Sequence, residues 1–217
     1  MSSAGTPAGT PTKRAVWYGC YGSNLSVARF RRYLTGGTPP GSARAQPGCR
    51  DATPPTGNRA VTLPGLVHLA HRSPAWDGAV AFLDTAAPGR SPGRAYRISV
   101  EQLADVVAQE NGLPPGSVTV DVSDLVTRGR NEVCPGWYGT SAHVGAVDGE
   151  PLFTITSSWS LDDIEVAPPS AAYIRTMGAG LAEAHGWSTE AVAAHLLQCP
   201  GVAPTWSIDA VAGALRG

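Results

Sequence analysis

The chain of 217 residues lacks the features that mark several large classes of protein. Its formal net charge is only −1, whereas nucleic-acid-binding surfaces need a clear excess of basic residues. Its apolar runs are much shorter than a membrane span, and its first residues contain no apolar segment like that of a signal peptide. We therefore expect a cytoplasmic protein that binds neither nucleic acid nor membranes.

Cysteine and lysine are also scarce. The four cysteines (Cys20, Cys49, Cys134 and Cys199) are scattered, with no Cys-x-x-Cys pair and no histidine at zinc-finger spacing. This pattern favours reduced thiols over a disulfide framework or a structural zinc site. Lys13 is the only lysine, and the arginine-rich, Ala/Gly/Pro-rich composition is typical of a GC-rich bacterial genome.

The residues that are present predict one α+β domain over 14–217, after a Ser/Thr/Pro/Gly-rich tail at 1–13 that we expect to be disordered. We expect strands at 15–21, 66–70, 79–83, 94–98, 118–122, 141–147 and 152–157. Helices are expected at 26–34, 99–111, 170–185 and 188–197, with a short one near 208–215. Two stretches broken by glycine and proline, 36–60 and 125–140, are expected to be loops, and the first is a candidate lid.

The helix predicted at 26–34 has apolar residues at helical spacing, with its arginines on the opposite side. The helix at 99–111 has the clearest boundaries of all. Ser99 and Gln102 form a capping-box pattern, and Gly112 follows its end.

Glu110 is the most informative residue of that second helix. The apolar stripe of Val100, Leu103 and Val107 continues to position 110, whereas Glu101 and Asp105 are predicted on the solvated face. Burial of a carboxylate raises its pKa toward the range useful to a general base. The alternative is that the helix frays and Glu110 reaches solvent.

The segment YGCYGSNL, residues 18–25, joins the first strand to the first helix. Gly22 permits close approach of a ligand to the backbone, and amides at a helix start can bind a carboxylate or a developing oxyanion. An ordinary turn with Ser23 or Asn24 as the N-cap explains the same residues without a ligand. The nucleotide-binding glycine patterns are absent.

Other candidates have weaker signals. Cys20 lacks a positioned histidine, and Ser23 lacks the Gly-x-Ser-x-Gly pattern of a hydrolase nucleophile. His68 and His71 are predicted on opposite faces of a strand, which argues against a metal pair. Tyr173 either contacts a ligand or packs in the core. The same alternatives apply to the aromatic residues Trp76, Trp137 and Tyr138.

Four sequence blocks, taken in order, resemble the γ-glutamylcyclotransferase-like family over roughly residues 15–200. They are the Tyr-Gly-Ser-Asn-Leu turn at 21–25, the strand entry WDGAVA at 76–81, the helix end at Glu110, and PPSAAY at 168–173. The chain is most similar to a bacterial branch with a longer insert, some of whose members are labelled histone deacetylase. The ligands that deacetylase zinc chemistry needs cannot be identified in this sequence.

The resemblance implies an α+β fold whose mixed or antiparallel sheet curls into a small barrel with flanking helices. It also implies a reaction in which a γ-glutamyl amide cyclises, releasing 5-oxoproline and a free amine. Glu110 matches the family's catalytic glutamate and Tyr173 a ligand-contacting tyrosine. The substrate loop corresponds to Tyr18, Gly19, Cys20, Tyr21, Gly22, Ser23 and Asn24. No metal or cofactor is implied.

The chain departs from the family pattern after Glu110, where the family often has a tyrosine and this sequence has none; Tyr138 is a possible substitute. Two hypotheses follow. The first is an enzyme that acts on a γ-glutamyl dipeptide or on a γ-glutamyl-capped amine of secondary metabolism. The second is a non-catalytic module that uses the same pocket to bind a small molecule or to interact with other proteins. The sequence does not indicate an oligomeric state.

Overall fold

A computed structural model describes residues 14–39, 44–203 and 205–216. The predicted disordered tail at 1–13 lies outside the described residues, as does part of the predicted loop at 36–60. The strands are β1 (Ala15–Cys20), β2 (Gly57–Pro64), β3 (Leu66–Ser73), β4 (Gly78–Asp84), β5 (Arg90–Ser99), β6 (Arg130–Glu132), β7 (Thr140–Val147) and β8 (Glu150–Thr156). The helices are α1 (Val27–Thr35), α2 (Val100–Glu110), α3 (Val122–Arg128), α4 (Ala171–His185), α5 (Thr189–Gln198) and α6 (Ile208–Arg216).

Six strands form one mixed sheet in the order β2-β5-β1-β8-β7-β6. The inner strand β1 pairs antiparallel with β5 and parallel with β8. Strands β3 and β4 form a separate antiparallel hairpin. The predicted α+β class and its single domain are therefore confirmed.

The predicted small barrel is not closed, because side-chain hydroxyls replace a backbone ladder between the hairpin and the main sheet. The Thr156 hydroxyl accepts from the Leu83 amide at 3.1 Å and donates to the Leu83 carbonyl at 2.8 Å. At the other strand of the hairpin, the Ser91 hydroxyl accepts from the Val67 amide and donates to the Gly65 carbonyl. These bonds hold the hairpin on the sheet without extending the sheet.

The chain leaves β1 through a short 3₁₀ turn, Ser23–Leu25, and enters α1 with Ser26 as its N-cap. Helix α4 crosses this turn at close range: a Cβ atom on Gly180 would lie 2.4 Å from the Cβ of Leu25. That close approach brings the start of α4 and its Tyr173 beside the turn.

The capping box predicted for α2 is present: the Ser99 hydroxyl accepts from the Gln102 amide, and the Gln102 side chain accepts from the Ser99 amide. The apolar residues of the helix are in the core. The prediction that Asp105 faces solvent is wrong, because its side chain is only 1% exposed. It accepts hydrogen bonds from the backbone amides of Arg50 (2.9 Å) and Gly116 (2.8 Å).

Asp105 belongs to a polar stripe on α2 that holds the connection between α1 and β2. Gln102 donates to the carbonyls of Asp51 and Thr53, and Gln109 accepts from the Gly48 amide. This side of α2 is buried against backbone rather than hydrated. The described part of the connection is therefore attached to the helix at several points, unlike the free lid considered from sequence.

Replacement of Asp105 with alanine is expected to destabilise the protein by about 2–3 kcal/mol, because two backbone amides lose a charged acceptor. Urea denaturation of Asp105→Ala, compared with Glu101→Ala on the exposed side of the same helix, measures the effect. Equal losses in the two variants would contradict the anchoring role of Asp105.

Three elements were not predicted: strands β2 and β6 and helix α3. The strand predicted at 118–122 is absent, although its alternating valines are typical of a strand. Val118 and Val120 are buried without strand pairing, and Asp121 instead caps α3, accepting from the amides of Ser123 and Asp124. Within the described ranges no helix is both long and apolar enough to cross a membrane.

Candidate active site

Two adjoining cavities lie where the turn after β1, the end of α2, strand β4 and the start of α4 meet. The inner cavity has a volume of about 40 Å³ and the outer one about 350 Å³. Ser23, Glu110, Tyr138 and Tyr173 line both, so these four residues form the boundary between them. All four sequence blocks that carry the family resemblance contribute to these walls.

Glu110, the last residue of α2, faces this boundary. Its carboxylate accepts a hydrogen bond of 2.8 Å from the Asn24 side-chain amide, so it does not simply fray into solvent. Asn24 itself is buried, and its backbone carbonyl accepts a hydrogen bond from the Tyr96 hydroxyl at 3.0 Å. The two residues that frame the site, one from each of two distant segments, are therefore in direct contact.

The electrostatic environment of Glu110 suits a group that takes up and releases a proton. Burial raises the pKa of the carboxyl group above that of an ordinary glutamate, and the nearby charge of Arg29 offsets part of this rise. Interactions with Asn24 and Tyr33 also favour the carboxylate form and lower the pKa. A carboxylate with a raised pKa is a better proton acceptor than a solvent-exposed one.

The predicted substrate loop lies opposite Glu110, with one exception. The members that line the inner cavity are Tyr18, Cys20, Tyr21, Gly22, Ser23 and Asn24. Gly19 is not among its lining residues: a Cβ atom there would lie 3.0 Å from a methyl group of Leu63, and its carbonyl accepts from Thr154. Gly19 therefore serves the packing of the sheet.

Gly22 approaches the ring of Tyr173 so closely that a side chain would enter the site. A Cβ atom on Gly22 would lie 3.1 Å from the Tyr173 hydroxyl oxygen. That oxygen accepts from the Ala81 amide at 3.0 Å, which leaves the hydroxyl proton for a ligand. Burial raises the pKa of Tyr173 to about 12, so the hydroxyl stays protonated at neutral pH.

Tyr138 also lies at the boundary between the two cavities and comes from a different segment of the chain than Tyr173. Its hydroxyl donates to the Ala81 carbonyl at 2.8 Å, and its ring stacks on Phe82. The side chain of Asn111, the residue after Glu110, binds the Tyr138 backbone in both directions at 3.0 Å. The position of Tyr138 is thus tied to the end of the helix that carries Glu110.

Sequence reasoning missed Arg29 and Tyr33, which occupy successive turns of α1 and line the outer cavity. Arg29 was predicted on the solvated side but is only 5% exposed. Its guanidinium lies 4.7 Å from the ring centroid of Trp76, a second wall residue. The spacing of the pair, i and i+4, was the available signal, because it puts an aromatic residue on the same face as this arginine.

The cysteine and histidine candidates from the sequence either lie away from the boundary between the two cavities or are unreactive. Burial raises the pKa of the Cys20 thiol, which donates to the Arg94 carbonyl, so Cys20 is a poor nucleophile. His68 is fully buried, whereas His71 stacks on the half-exposed ring of Trp137. No group of three or more potential metal ligands is found among the residues that the structure describes.

Comparison with solved structures places the fold among known ones. The human protein described as uncharacterized protein loc79017 matches 94% of this chain and 99% of its own, with 14% identity and a TM-score of 0.50. A γ-glutamyl cyclotransferase matches 94% of this chain and 100% of its own, with 15% identity and a TM-score of 0.48. YkqA from Bacillus subtilis matches 88% and 57%, with 20% identity and a TM-score of 0.47.

Comparison with characterised sequences gives a different name. The chain is 32% identical over 199 residues to histone deacetylase 5 of Arabidopsis thaliana, which covers 83% of this chain but only 30% of the plant protein. The chain thus spans about a third of the length of that relative, and the activity in its name belongs to the plant protein. No family model matches the chain.

The chain is an α+β protein of the predicted class, and it shares the fold of the human protein loc79017. The resemblance of its four sequence blocks to the γ-glutamylcyclotransferase-like family remains a prediction from the sequence. Folds of one class host different activities, so the reaction has to be argued from the site itself.

Proposed function

We propose that the protein cleaves a γ-glutamyl amide by intramolecular cyclisation. The observation that carries this proposal is the contact of Glu110 with Asn24, which sets a partly buried carboxylate across a small cavity from the backbone of the Gly22 turn. A carboxylate and backbone donors on opposite sides of one cavity are the groups that this reaction needs.

The inner cavity has the size of a small polar group. At about 40 Å³ it has room for roughly three water-sized groups, which is the size of a carboxylate. We assign it to the α-carboxylate of the glutamyl group, with the turn at residues 22–24 as its binding surface. The rest of the glutamyl chain then extends toward the boundary formed by Glu110, Tyr138 and Tyr173.

In this arrangement Glu110 takes a proton from the α-ammonium of the substrate. The freed amine nitrogen attacks the γ-carbonyl carbon, a C–N bond forms, and negative charge develops on the carbonyl oxygen. The bond to the original amide nitrogen then breaks as Glu110 returns the proton to that nitrogen. The attacking nitrogen loses a second proton as the ring forms, and the released amine takes up this proton. The products are therefore 5-oxoproline and the amine in its ammonium form, and atoms and charge balance without a cofactor.

The enzyme's contribution is positioning and proton transfer. Ring closure to five members is intramolecular, so a site that folds the substrate into the reactive conformation removes much of the entropic barrier. The Tyr173 proton is available to the carbonyl oxygen because the hydroxyl oxygen already accepts from the Ala81 amide.

The test is a screen of γ-glutamyl amides, both dipeptides and simple alkylamides, with 5-oxoproline measured by mass spectrometry. We expect release from at least one amide, together with an equal amount of the free amine. Absence of release from every amide would contradict the proposal and favour a non-catalytic binding module built on the same cavity.

A further inference from the structure

One edge of strand β4 is bound by side-chain hydroxyls instead of by another strand. Both backbone groups of Leu83 bind the Thr156 hydroxyl. Two residues earlier, the Ala81 amide donates to the Tyr173 hydroxyl, and the Ala81 carbonyl accepts from the Tyr138 hydroxyl. A single residue of β4 therefore holds both tyrosines of the boundary between the two cavities.

The two tyrosine hydroxyls are neighbours because of the register of the hairpin. Ala81 lies opposite Leu69 in the pairing of β3 with β4. The amide and carbonyl of Leu69 bond to Pro200 and Ala167, so the two opposed residues form a pair without mutual hydrogen bonds. The amide and carbonyl of one strand residue point to the same side of the strand. The hydroxyls that they bind therefore lie side by side.

These two hydroxyls offer opposite groups to a ligand. The Tyr173 oxygen accepts from the Ala81 amide at 3.0 Å, so the Tyr173 proton remains to be donated. Tyr138 gives its proton to the Ala81 carbonyl at 2.8 Å, so its oxygen remains only as an acceptor. Burial raises the pKa of both phenols, which keeps both protons in place at neutral pH.

A donor beside an acceptor matches an amide whose C=O and N–H lie on the same side. An open-chain secondary amide is trans, and its C=O and N–H point in opposite directions. A five-membered lactam is held cis by its ring, so the two groups point the same way. The pair of hydroxyls is therefore complementary to the ring that the proposed reaction forms, and not to the bond that it breaks.

We propose that Tyr138 is a catalytic residue whose hydroxyl oxygen accepts a hydrogen bond from the attacking nitrogen, so that Tyr173 and Tyr138 together bind the forming lactam. The inference rests on the proposed function for the identity of the ring. Tyr138 takes up no proton: it binds the N–H that stays in the lactam, whereas the other two protons pass to Glu110 and to the released amine. The bond orients the nitrogen lone pair toward the γ-carbonyl carbon.

The binding test compares two rings that differ only at this nitrogen. 5-Oxoproline has the N–H, whereas 3-oxocyclopentane-1-carboxylate has a CH₂ group in its place and keeps the carbonyl and the carboxylate. We expect the wild-type protein to bind 5-oxoproline about 10-fold more tightly, as one hydrogen bond provides. Calorimetry measures both affinities. Equal affinities, or no binding of 5-oxoproline, would overturn the inference.

Two variants assign the preference to one hydroxyl. Tyr138→Phe removes the acceptor, so most of the preference for 5-oxoproline should disappear. Tyr173→Phe, the matched control, removes a donor to the carbonyl that both rings contain, so both affinities should fall while their ratio is largely kept. Any disturbance of Ala81 acts on both ligands and cancels in the ratio. A preference that Tyr138→Phe leaves unchanged would refute the role of Tyr138.

The kinetic test separates this inference from the proposed function. Tyr138→Phe should lower 5-oxoproline release from a γ-glutamyl amide by about 3–30-fold, mainly in kcat, because the cis geometry arises only as the ring closes. An unchanged kcat in this variant would overturn the role of Tyr138 and leave the proposed function intact. Tyr138-dependent binding of 5-oxoproline without turnover of any γ-glutamyl amide would support the lactam site and contradict the proposed function.

Discussion

Glu110→Gln is expected to reduce 5-oxoproline release by roughly 10²–10⁴-fold, the range that a general base contributes. The amide oxygen of glutamine can still accept the hydrogen bond from Asn24, so the geometry of the site is retained while the proton acceptor is lost. The measurement is kcat/KM on whichever γ-glutamyl amide gives release, by mass spectrometry. Glu101→Gln, an exposed change at the other end of α2, should leave kcat/KM unaltered.

The stability of the same variant provides an independent control. The folded-state pKa of Glu110 is raised above its unfolded value, chiefly by burial. Protonation of Glu110 therefore stabilises the folded protein at pH values below the pKa that Glu110 has in the unfolded chain. This stabilisation is lost as the pH rises through the pKa that Glu110 has in the folded protein. At neutral pH the glutamine variant should be at least as stable as the wild-type protein. Undiminished turnover by a correctly folded Glu110→Gln would exclude Glu110 as the base.

Asn24→Asp is also expected to reduce activity, although it changes only one heavy atom. The Asn24 side chain now donates to Glu110; an aspartate there would set a second carboxylate against the first. Two carboxylates at hydrogen-bonding distance share a proton, which raises the pKa of the pair strongly. At pH 7 we expect kcat/KM to fall about 10–100-fold, since the base is then mostly protonated.

The pH profile distinguishes this cause from a general disruption. For the wild-type protein, kcat/KM should fall as pH decreases through the raised pKa of Glu110, because only the carboxylate accepts a proton. In Asn24→Asp this acid limb should move to higher pH, with activity recovering in alkaline buffer. Asn24→Ser, which removes the donor without adding charge, should move it much less. Coincident profiles for all three proteins would refute the pairing.

Local sequence patterns pointed to several of the residues that the structure places at the two cavities. The Ser99 capping box located α2, and the apolar stripe of that helix pointed to Glu110. The glycine in the turn after β1 was predicted to permit close approach of a ligand, which stays a prediction, and the structure places the Tyr173 hydroxyl close to Gly22. These features depend on residues within a few positions of one another, so periodicity and capping rules detect them.

The errors concern residues whose surroundings come from distant parts of the chain. Arg29 was predicted in solvent because helical periodicity recognised only one apolar stripe, and its neighbour Trp76 is remote in sequence. Asp105 was predicted on the surface for the same reason, since its partners at Arg50 and Gly116 lie in separate loops. The open sheet depends on single hydroxyl groups such as that of Thr156, which no strand pattern reveals.

Two hydrogen bonds between the Asn111 side chain and the Tyr138 backbone connect the end of helix α2 to the cavity wall that contains Tyr138. Because these hydrogen bonds involve only one side chain and one peptide unit, they can form with connections of different lengths between residues 111 and 138. The close contact requires a glycine at position 136, where a Cβ atom would lie 2.2 Å from the Asn111 amide oxygen. The spacing between Glu110 and Tyr138 is therefore set by these two hydrogen bonds and not by the length of chain between the two residues.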